Sequence, residues 1–365
     1  MIRLLIADDS ALMRKLLEGI FRDEGDFDIQ LARHGAEALD LVRSFDPHVV
    51  TLDVRMPGMD GLSCLSQIMI QAPRPVVMVS SLTGEGADAT LEAIELGAVD
   101  FIAKPDGTIS LEIDRLRPVL VEKVRGAVRA KIRPTLRLKE RIRHQFRGAG
   151  VLSELARRAR RAPRRGGIPS APGLVLIGTS TGGPAALDVV LPQLPKQLLW
   201  PVLVAQHMPA SFTAAFANRL DRNCELKVVE VNRPMLLQRG TVYIGRGDAD
   251  VVISSRPSGL HAMPVPALRD YPWHPSVERM VRSALDNYDA ARLVGVLMTG
   301  MGRDGADAMT ELRNRGGRTI AEAESTAVVW GMPGELVKSG GAELVRPVDE
   351  IAATVVEWVE ADAIR

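Results

Sequence analysis

The sequence predicts an α/β chain built of two doubly wound, mainly parallel domains in tandem. Three observations predict it. Short apolar runs alternate with amphipathic stretches over the first 105 residues and again from Leu174 onward. Residues able to do chemistry stand at the ends of those runs, where a parallel sheet gathers its ligands. A basic stretch without such alternation divides the two regions. A length of 365 residues suits two domains.

In the first region Ile2–Ala7 reads as a buried strand, and Leu12, Leu16, Leu17 and Ile20 then share one helical face. Runs at Phe27–Ala32, His48–Asp53, Pro75–Ser80 and Val99–Ala103 predict four more strands. Helices fit near Ala36–Ser44, Leu62–Gln71 and Asp88–Leu96, with a fifth over Leu111–Ala130. Five strands interleaved with helices imply a parallel sheet whose right-handed crossovers cover both faces. This domain is placed at 1–125. Residues 126–172 read as an interdomain linker. Between Arg115 and Gly167 there are 18 Lys or Arg against 3 Glu, a net charge of about +15 in a chain whose net charge is +1, and Val151–Arg161 has a helical pattern. The second domain is placed at 173–362. Its strands fit Leu174–Gly178, Pro201–Ala205, Leu226–Val231, Thr241–Ile244, Val251–Ser254 and Leu293–Thr299. Its helices begin near Pro184 and fit Ser211–Arg222, Ser276–Tyr288, Ala306–Arg315 and Val348–Val359.

Composition narrows the class. The chain is 46% hydrophobic and 25% charged, ordinary for a globular protein. No apolar run approaches the ~18 residues that span a bilayer. Met1–Ser10 carries no signal-peptide pattern. Two distant cysteines, Cys64 and Cys224, match no metal spacing and fit a reducing cytoplasm.

The first constellation is acidic. Asp8 and Asp9 follow the first strand and Asp53 ends the third. Three converging carboxylates repel unless a cation joins them, and hard oxygen ligands favour Mg²⁺. Asp53 could then accept a phosphoryl group as an aspartyl phosphate. Ser80 offers a hydroxyl and Lys104 a cation at the ends of the next two strands. Taken singly, Asp9 or Ser10 would serve equally as a helix N-cap. Together, the words Leu5-Ile6-Ala7-Asp8-Asp9-Ser10, Leu52-Asp53-Val54-Arg55-Met56-Pro57-Gly58-Met59-Asp60-Gly61, Val79-Ser80-Ser81 and Lys104-Pro105 resemble the response-regulator receiver family over about residues 1–125. That resemblance implies a (βα)5 flavodoxin-like receiver with Asp53 as phosphoacceptor. It also implies Asp8, Asp9, Asp53 and the Arg55 carbonyl as Mg²⁺ ligands, and Ser80, Phe101 and Lys104 as switch residues.

The second constellation starts at Gly178-Thr179-Ser180-Thr181-Gly182, a Gly-x-Ser-x-Gly turn between strand and helix. Alone it could be a nucleophile turn, a phosphate loop or a simple turn. His207 at the end of a second strand and Asp304 after a third raise the first option, because a serine nucleophile needs a base and a base needs an orienting carboxylate. His207 could equally be a satisfied polar residue, and Asp304 a first-turn acid of the helix behind it. Amides near Thr181 and Met301 could hold an oxyanion.

The words Ile177-Gly178-Thr179-Ser180-Thr181-Gly182-Gly183-Pro184, Ala205-Gln206-His207-Met208-Pro209, Pro275-Ser276-Val277, Met298-Thr299-Gly300-Met301-Gly302-Arg303-Asp304-Gly305 and Gly331-Met332-Pro333 resemble the catalytic domain of the chemotaxis protein-glutamate methylesterases, the CheB family. The resemblance implies Ser180 as nucleophile, His207 as general base, Asp304 as its orienting partner, and the Met301 amide in the oxyanion hole. It implies methyl-accepting chemoreceptors as substrate, methanol as product, and deamidation of receptor glutamines as a second activity. A CheA-type histidine kinase is implied as phosphodonor, with no cofactor for ester hydrolysis. The chain departs from the family at Ala321-Glu322-Ala323-Glu324, where Ala-Gln-Asp-Glu is common, a change expected in the substrate groove. Its linker is also longer and more basic. The rival readings are a non-catalytic output domain and a DNA-binding one. No helix-turn-helix pattern supports the latter, so no nucleic-acid partner is expected.

Overall fold

A computed structural model of the chain describes residues 1–81, 84–104, 109–132 and 173–363. In the first half, β1 (Ile2–Ala7), β2 (Phe27–Ala32), β3 (Val49–Asp53), β4 (Val76–Ser80) and β5 (Asp100–Ala103) form one parallel sheet in the order β2-β1-β3-β4-β5. The chain leaves β1 for β2 on one side and returns to β3 on the other. That reversal opens a crevice at the carboxyl ends of β1 and β3. β3 and β4 are buried throughout, as apolar runs covered on both faces should be. Five helices complete the unit: α1 (Ala11–Asp23), α2 (Gly35–Ser44), α3 (Gly61–Gln71), α4 (Gly84–Leu96) and α5 (Ile109–Val128). Ser10, not Asp9, caps α1, its hydroxyl accepting from the Met13 amide at 3.3 Å.

The second half carries a seven-stranded sheet in the order β15-β14-β13-β6-β7-β10-β8, with every neighbouring pair parallel. Its strands are β6 (Leu174–Thr179), β7 (Val202–Gln206), β8 (Lys227–Val231), β10 (Thr241–Gly245), β13 (Leu293–Leu297), β14 (Arg318–Glu322) and β15 (Leu344–Arg346). Its helices are α6 (Gly183–Val190), α7 (Ala210–Asn223), α8 (Val277–Leu285), α9 (Ala306–Asn314), α10 (Met332–Lys338) and α11 (Val348–Ala363). β6 lies between β7 and β13, so this sheet too reverses its order at one strand, and the adjoining carboxyl ends form the natural ligand crevice.

One expectation is corrected. The run at Val251–Ser254 is a strand, but it lies outside the parallel sheet. It belongs to β11 (Ala249–Arg256), which pairs antiparallel with β12 (Gly259–Pro266), while the two-residue β9 (Met235–Leu236) pairs with the other edge of β12. Sequence periodicity missed β12 because Pro264 and Pro266 argue against a strand. Both fall beyond the reach of β9, which pairs only with His261 and Ala262, so no ladder amide is needed there. The helix expected over Val151–Arg161 and the arginine cluster of the linker lie outside the described residues. Residues 126–128, assigned to the linker, form the last turn of α5.

Candidate active site

β6, β7 and β13 deliver three side chains to one place. Ser180 follows β6, His207 follows β7, and Asp304 lies on the loop after β13. Backbone bonds lock these ends together: the Ser180 amide donates to the Thr299 carbonyl at 2.9 Å and the His207 amide to the Thr179 carbonyl at 3.1 Å. Gly182 turns the chain into α6 at φ 76°, a conformation that favours glycine. Gly300 must also lack a side chain, since a Cβ there would come within 2.7 Å of Ser180 Cβ.

His207 Nε2 and Asp304 Oδ2 are 2.8 Å apart. Asp304 also accepts from the Val277 amide at 2.7 Å, the Glu278 amide at 3.0 Å and the Ser276 hydroxyl at 3.1 Å. It therefore sits on the N-terminus of α8 and not on that of α9, where Gly305 is the cap. Burial opposes its charge. The hydrogen bond from His207 and the two α8 amides outweigh burial and hold its carboxyl below the ordinary range. An ionised Asp304 requires a proton on Nε2, which leaves Nδ1 of the neutral ring as a lone pair. Nδ1 is buried and has no hydrogen-bond partner among the described residues. Ser180 Oγ likewise forms no hydrogen bond with His207 there, a bond that resting sites often complete only with substrate. The Thr181 and Met301 amides donate to no acceptor among the described residues.

The acidic cluster also assembles. One carboxylate oxygen from each of Asp8, Asp9 and Asp53 lies within 4.8 Å of the others. Lys104 Nζ stands 2.8 Å from Asp8 and 2.7 Å from Asp53. Burial, with help from Asp8, pushes the Asp53 carboxyl up against the opposing pull of Lys104. Burial would lower the Lys104 amine, but hydrogen bonds to Asp53 and Asp8 prevail and raise it. The Arg55 amide donates to Asp53 at 3.3 Å, and the buried Ser80 hydroxyl donates to the Gly86 carbonyl at 3.2 Å. Pro105 lies outside the described residues.

Comparison with known proteins fits both halves. Residues 175–355 match the family model described as CheB methylesterase, and residues 4–112 match the response regulator receiver domain. The protein-glutamate methylesterase/protein-glutamine glutaminase 2 of Rhodopseudomonas palustris (strain BisB18) is 71% identical over 365 residues, covering 100% of both chains. A counterpart from Rhodospirillum rubrum is 52% identical over 360 residues, covering 98% of this chain and 96% of its own. The chain belongs to the protein-glutamate methylesterase/protein-glutamine glutaminase family. The crystal structure of the Thermotoga maritima CheB methylesterase catalytic domain is 34% identical and covers 51% of this chain and 97% of its own, with a TM-score of 0.49.

In this family member the receiver half packs over the Ser180 face. Phe101, the expected switch aromatic, is buried with its ring centroid 4.6 Å from that of Phe212 on α7. Arg219, also on α7, donates to the Leu91 carbonyl of α4 at 2.7 Å and pairs with Glu95 at 3.1 Å and with Asp188. Thr181 meets Asp100 of β5. Ser180, Thr181 and His207 are all buried in this arrangement.

Three features escaped sequence reasoning. Trp273 stacks on His207, with centroids 5.7 Å apart and planes 12° from parallel. Ser276 caps α8 and bonds Asp304; its cap position before Val277 was readable, but its reach to Asp304 was not. Glu322, part of the word that departs from the family, is buried, and its carboxylate accepts from the Thr299 amide at 2.8 Å. Glu324 is the residue of that word that reaches the surface, where it pairs with Lys131.

Proposed function

We propose that this chain is a phosphorylation-controlled esterase that hydrolyses glutamate methyl esters on chemoreceptor helices and deamidates glutamines at the same site. The observation that carries the reading is the buried His207 ring, tied to Asp304 through Nε2 and left with a partnerless Nδ1 beside the Ser180 strand end. Nδ1 takes the Ser180 proton as Oγ attacks the ester carbonyl. The Thr181 and Met301 amides receive the developing oxyanion. The His207 imidazolium, stabilised by Asp304, passes its proton to the departing methoxide, releasing methanol. Water, deprotonated by the same nitrogen, cleaves the acyl-enzyme to glutamate and Ser180. With a glutamine the leaving group is ammonia.

In the receiver half, Asp53 is the proposed phosphoacceptor, with Ser80 and Lys104 holding the phosphoryl oxygens. The grouped carboxylates of Asp8, Asp9 and Asp53 are a hard oxygen set that fits Mg²⁺, and the Arg55 carbonyl is the fourth ligand proposed from the family resemblance. When bound, that ion would offset the repulsion between the carboxylates and an incoming phosphoryl group. A CheA-type histidine kinase is the proposed phosphodonor and the cytoplasm the place of action. Among the described residues no helix is long and apolar enough to cross a membrane. The packing of Asp100, Phe101 and α4 over the Ser180 face supports a receiver that restricts access until phosphorylated.

The test is methanol release from methylated receptor, with and without a small-molecule phosphodonor. Release that requires Ser180 and is stimulated only when Asp53 is present is the expected result. Full activity in Ser180→Ala, or undiminished stimulation in Asp53→Asn, overturns the corresponding half of the reading.

A further inference from the structure

We propose that Trp273 is a positioning residue for the His207 base: its indole face fixes the plane of the imidazole and stabilises the imidazolium that forms as Ser180 attacks. The inference deepens the esterase reading above and rests on it.

His207 is held by hydrogen bonding at one edge of its ring. Nε2 is tied to Asp304 at 2.8 Å, while Nδ1, which the reading reserves for the Ser180 proton, has no hydrogen-bond partner among the described residues. A single bond at one edge leaves a ring able to rock. A second polar anchor would occupy Nδ1 and block the base, so the remaining constraint has to be apolar and to act on the face. Trp273 supplies it. Its ring centroid lies 5.7 Å from that of His207, with the planes 12° from parallel. That is an offset stack, and it falls within the ~6 Å over which an aromatic face attracts a cation, indole most strongly. His207 is buried, so the attraction acts where water screens it little. Packing alone would accept an edge-on ring as readily. A near-parallel one lays the imidazolium charge over the indole face.

Trp273 is itself held in place. It lies on the segment 267–276 that joins β12 to α8. Asp250, buried in β11, grips the end of that segment: it accepts from His274 Nδ1 at 2.9 Å and from the Ser276 amide at 2.6 Å, and it pairs with Arg279. Arg279 in turn donates to the carbonyl of Pro266, the last residue of β12, at 3.0 Å, and its guanidinium stands 5.9 Å from the centre of the Tyr271 ring. One carboxylate–guanidinium pair therefore ties both ends of the segment. The Met208 amide donates to the His274 carbonyl at 3.4 Å, so the residue after His207 is bonded to the residue after Trp273. The two stacked rings ride on backbones joined to each other.

The test is methanol release from methylated receptor by the full-length chain with phosphodonor, followed against pH. Charged groups bear on the His207 ring from two elements, Asp304 from the loop after β13 and Glu122 from α5. Both remain in the variants, so the comparison isolates the indole. Trp273→Leu keeps apolar bulk and removes the aromatic face. Its kcat should fall on the order of tenfold with KM little changed, the size of a desolvated cation–π contact. The acid limb of kcat/KM should move lower by about one pH unit, because His207 takes up a proton less readily. Trp273→Phe retains a face and should recover most of both. Equal losses in the two variants with the acid limb unmoved would make Trp273 a packing residue, and a raised KM with kcat intact would make it a wall of the substrate groove. Either result overturns the assignment.

A second measurement needs no turnover. An imidazolium quenches the emission of an indole stacked on it. The fluorescence that Trp273→Phe removes should therefore weaken as the solution is acidified, and His207→Gln should abolish that dependence, which separates His207 from the adjacent His274. Emission from Trp273 that ignores His207 overturns the assignment even where Trp273→Leu fails to fold. Absence of methanol release from the unaltered chain at every pH overturns the esterase reading itself.

Discussion

Thr181 Oγ1 donates a hydrogen bond to Asp100 Oδ2 at 2.5 Å, tying the residue after Ser180 to the first residue of β5 in the other half of the chain. The same Asp100 receives Lys123 and hydrogen-bonds the Phe101 amide at 2.7 Å. A shift of Phe101 or α5 in the receiver therefore pulls directly on the proposed oxyanion loop.

Thr181→Val removes this donor and leaves Asp100 paired with Lys123. Hydrogen bonds to charged groups are worth about 1.5–3 kcal/mol. Unstimulated methanol release should rise roughly tenfold, with the phosphodonor-stimulated rate little changed. An unaltered resting rate would show that the bond does not hold the halves together.

Asp304→Asn should reduce turnover by on the order of 10⁴, the loss typical when the acid of such a triad is neutralised. It should also change the pH dependence of stability. Asp304 has a lowered pKa in the fold, so its contribution is present above the unfolded carboxyl range and disappears as pH falls through the lower folded value. Urea unfolding should show the gap between the two proteins closing as the solution is acidified.

Ser276→Ala tests the support beneath Asp304. The α8 cap is lost, at about 1 kcal/mol, together with one of the four hydrogen bonds to the carboxylate. Thermal unfolding should fall by roughly 2–4 °C, and turnover should drop far less than in Asp304→Asn. Turnover loss equal to that of Asp304→Asn would give Ser276 a role of its own in the chemistry.

Asp53→Asn should stabilise the resting protein at neutral pH. Burial raises this carboxyl in the fold, so the unfolded chain loses the proton first and stability declines as pH climbs past the unfolded value. The neutral amide escapes that decline. The difference in unfolding temperature should vanish in acid, where both side chains are uncharged.

Much of this was legible in the sequence because parallel α/β folds write their chemistry at strand ends. Asp8, Asp53, Ser180 and His207 each close an apolar run, and a run end is easy to see. Strand order was not: that β6 lies between β7 and β13 follows from pairing across 120 residues, which no local pattern records. The strands β14 and β15 were overlooked for a different reason: Arg318–Glu322 holds only two apolar residues and Leu344–Arg346 is three residues long, so neither makes an apolar run. Glu322 drew attention only as a departure from the family's usual word, which says nothing of burial. Here it ends a buried strand and accepts a backbone amide, so the usual penalty is met by a hydrogen bond.

Arg219 gives the joint between the halves its character. It is buried and bridges to Leu91 and Glu95, yet one of its partners, Asp188, belongs to its own half and travels with it. When the halves part, this guanidinium is never left alone: it trades two neighbours for water and keeps the third. The boundary works as a clasp more than a weld, which suits the access-restricting role proposed for the receiver half.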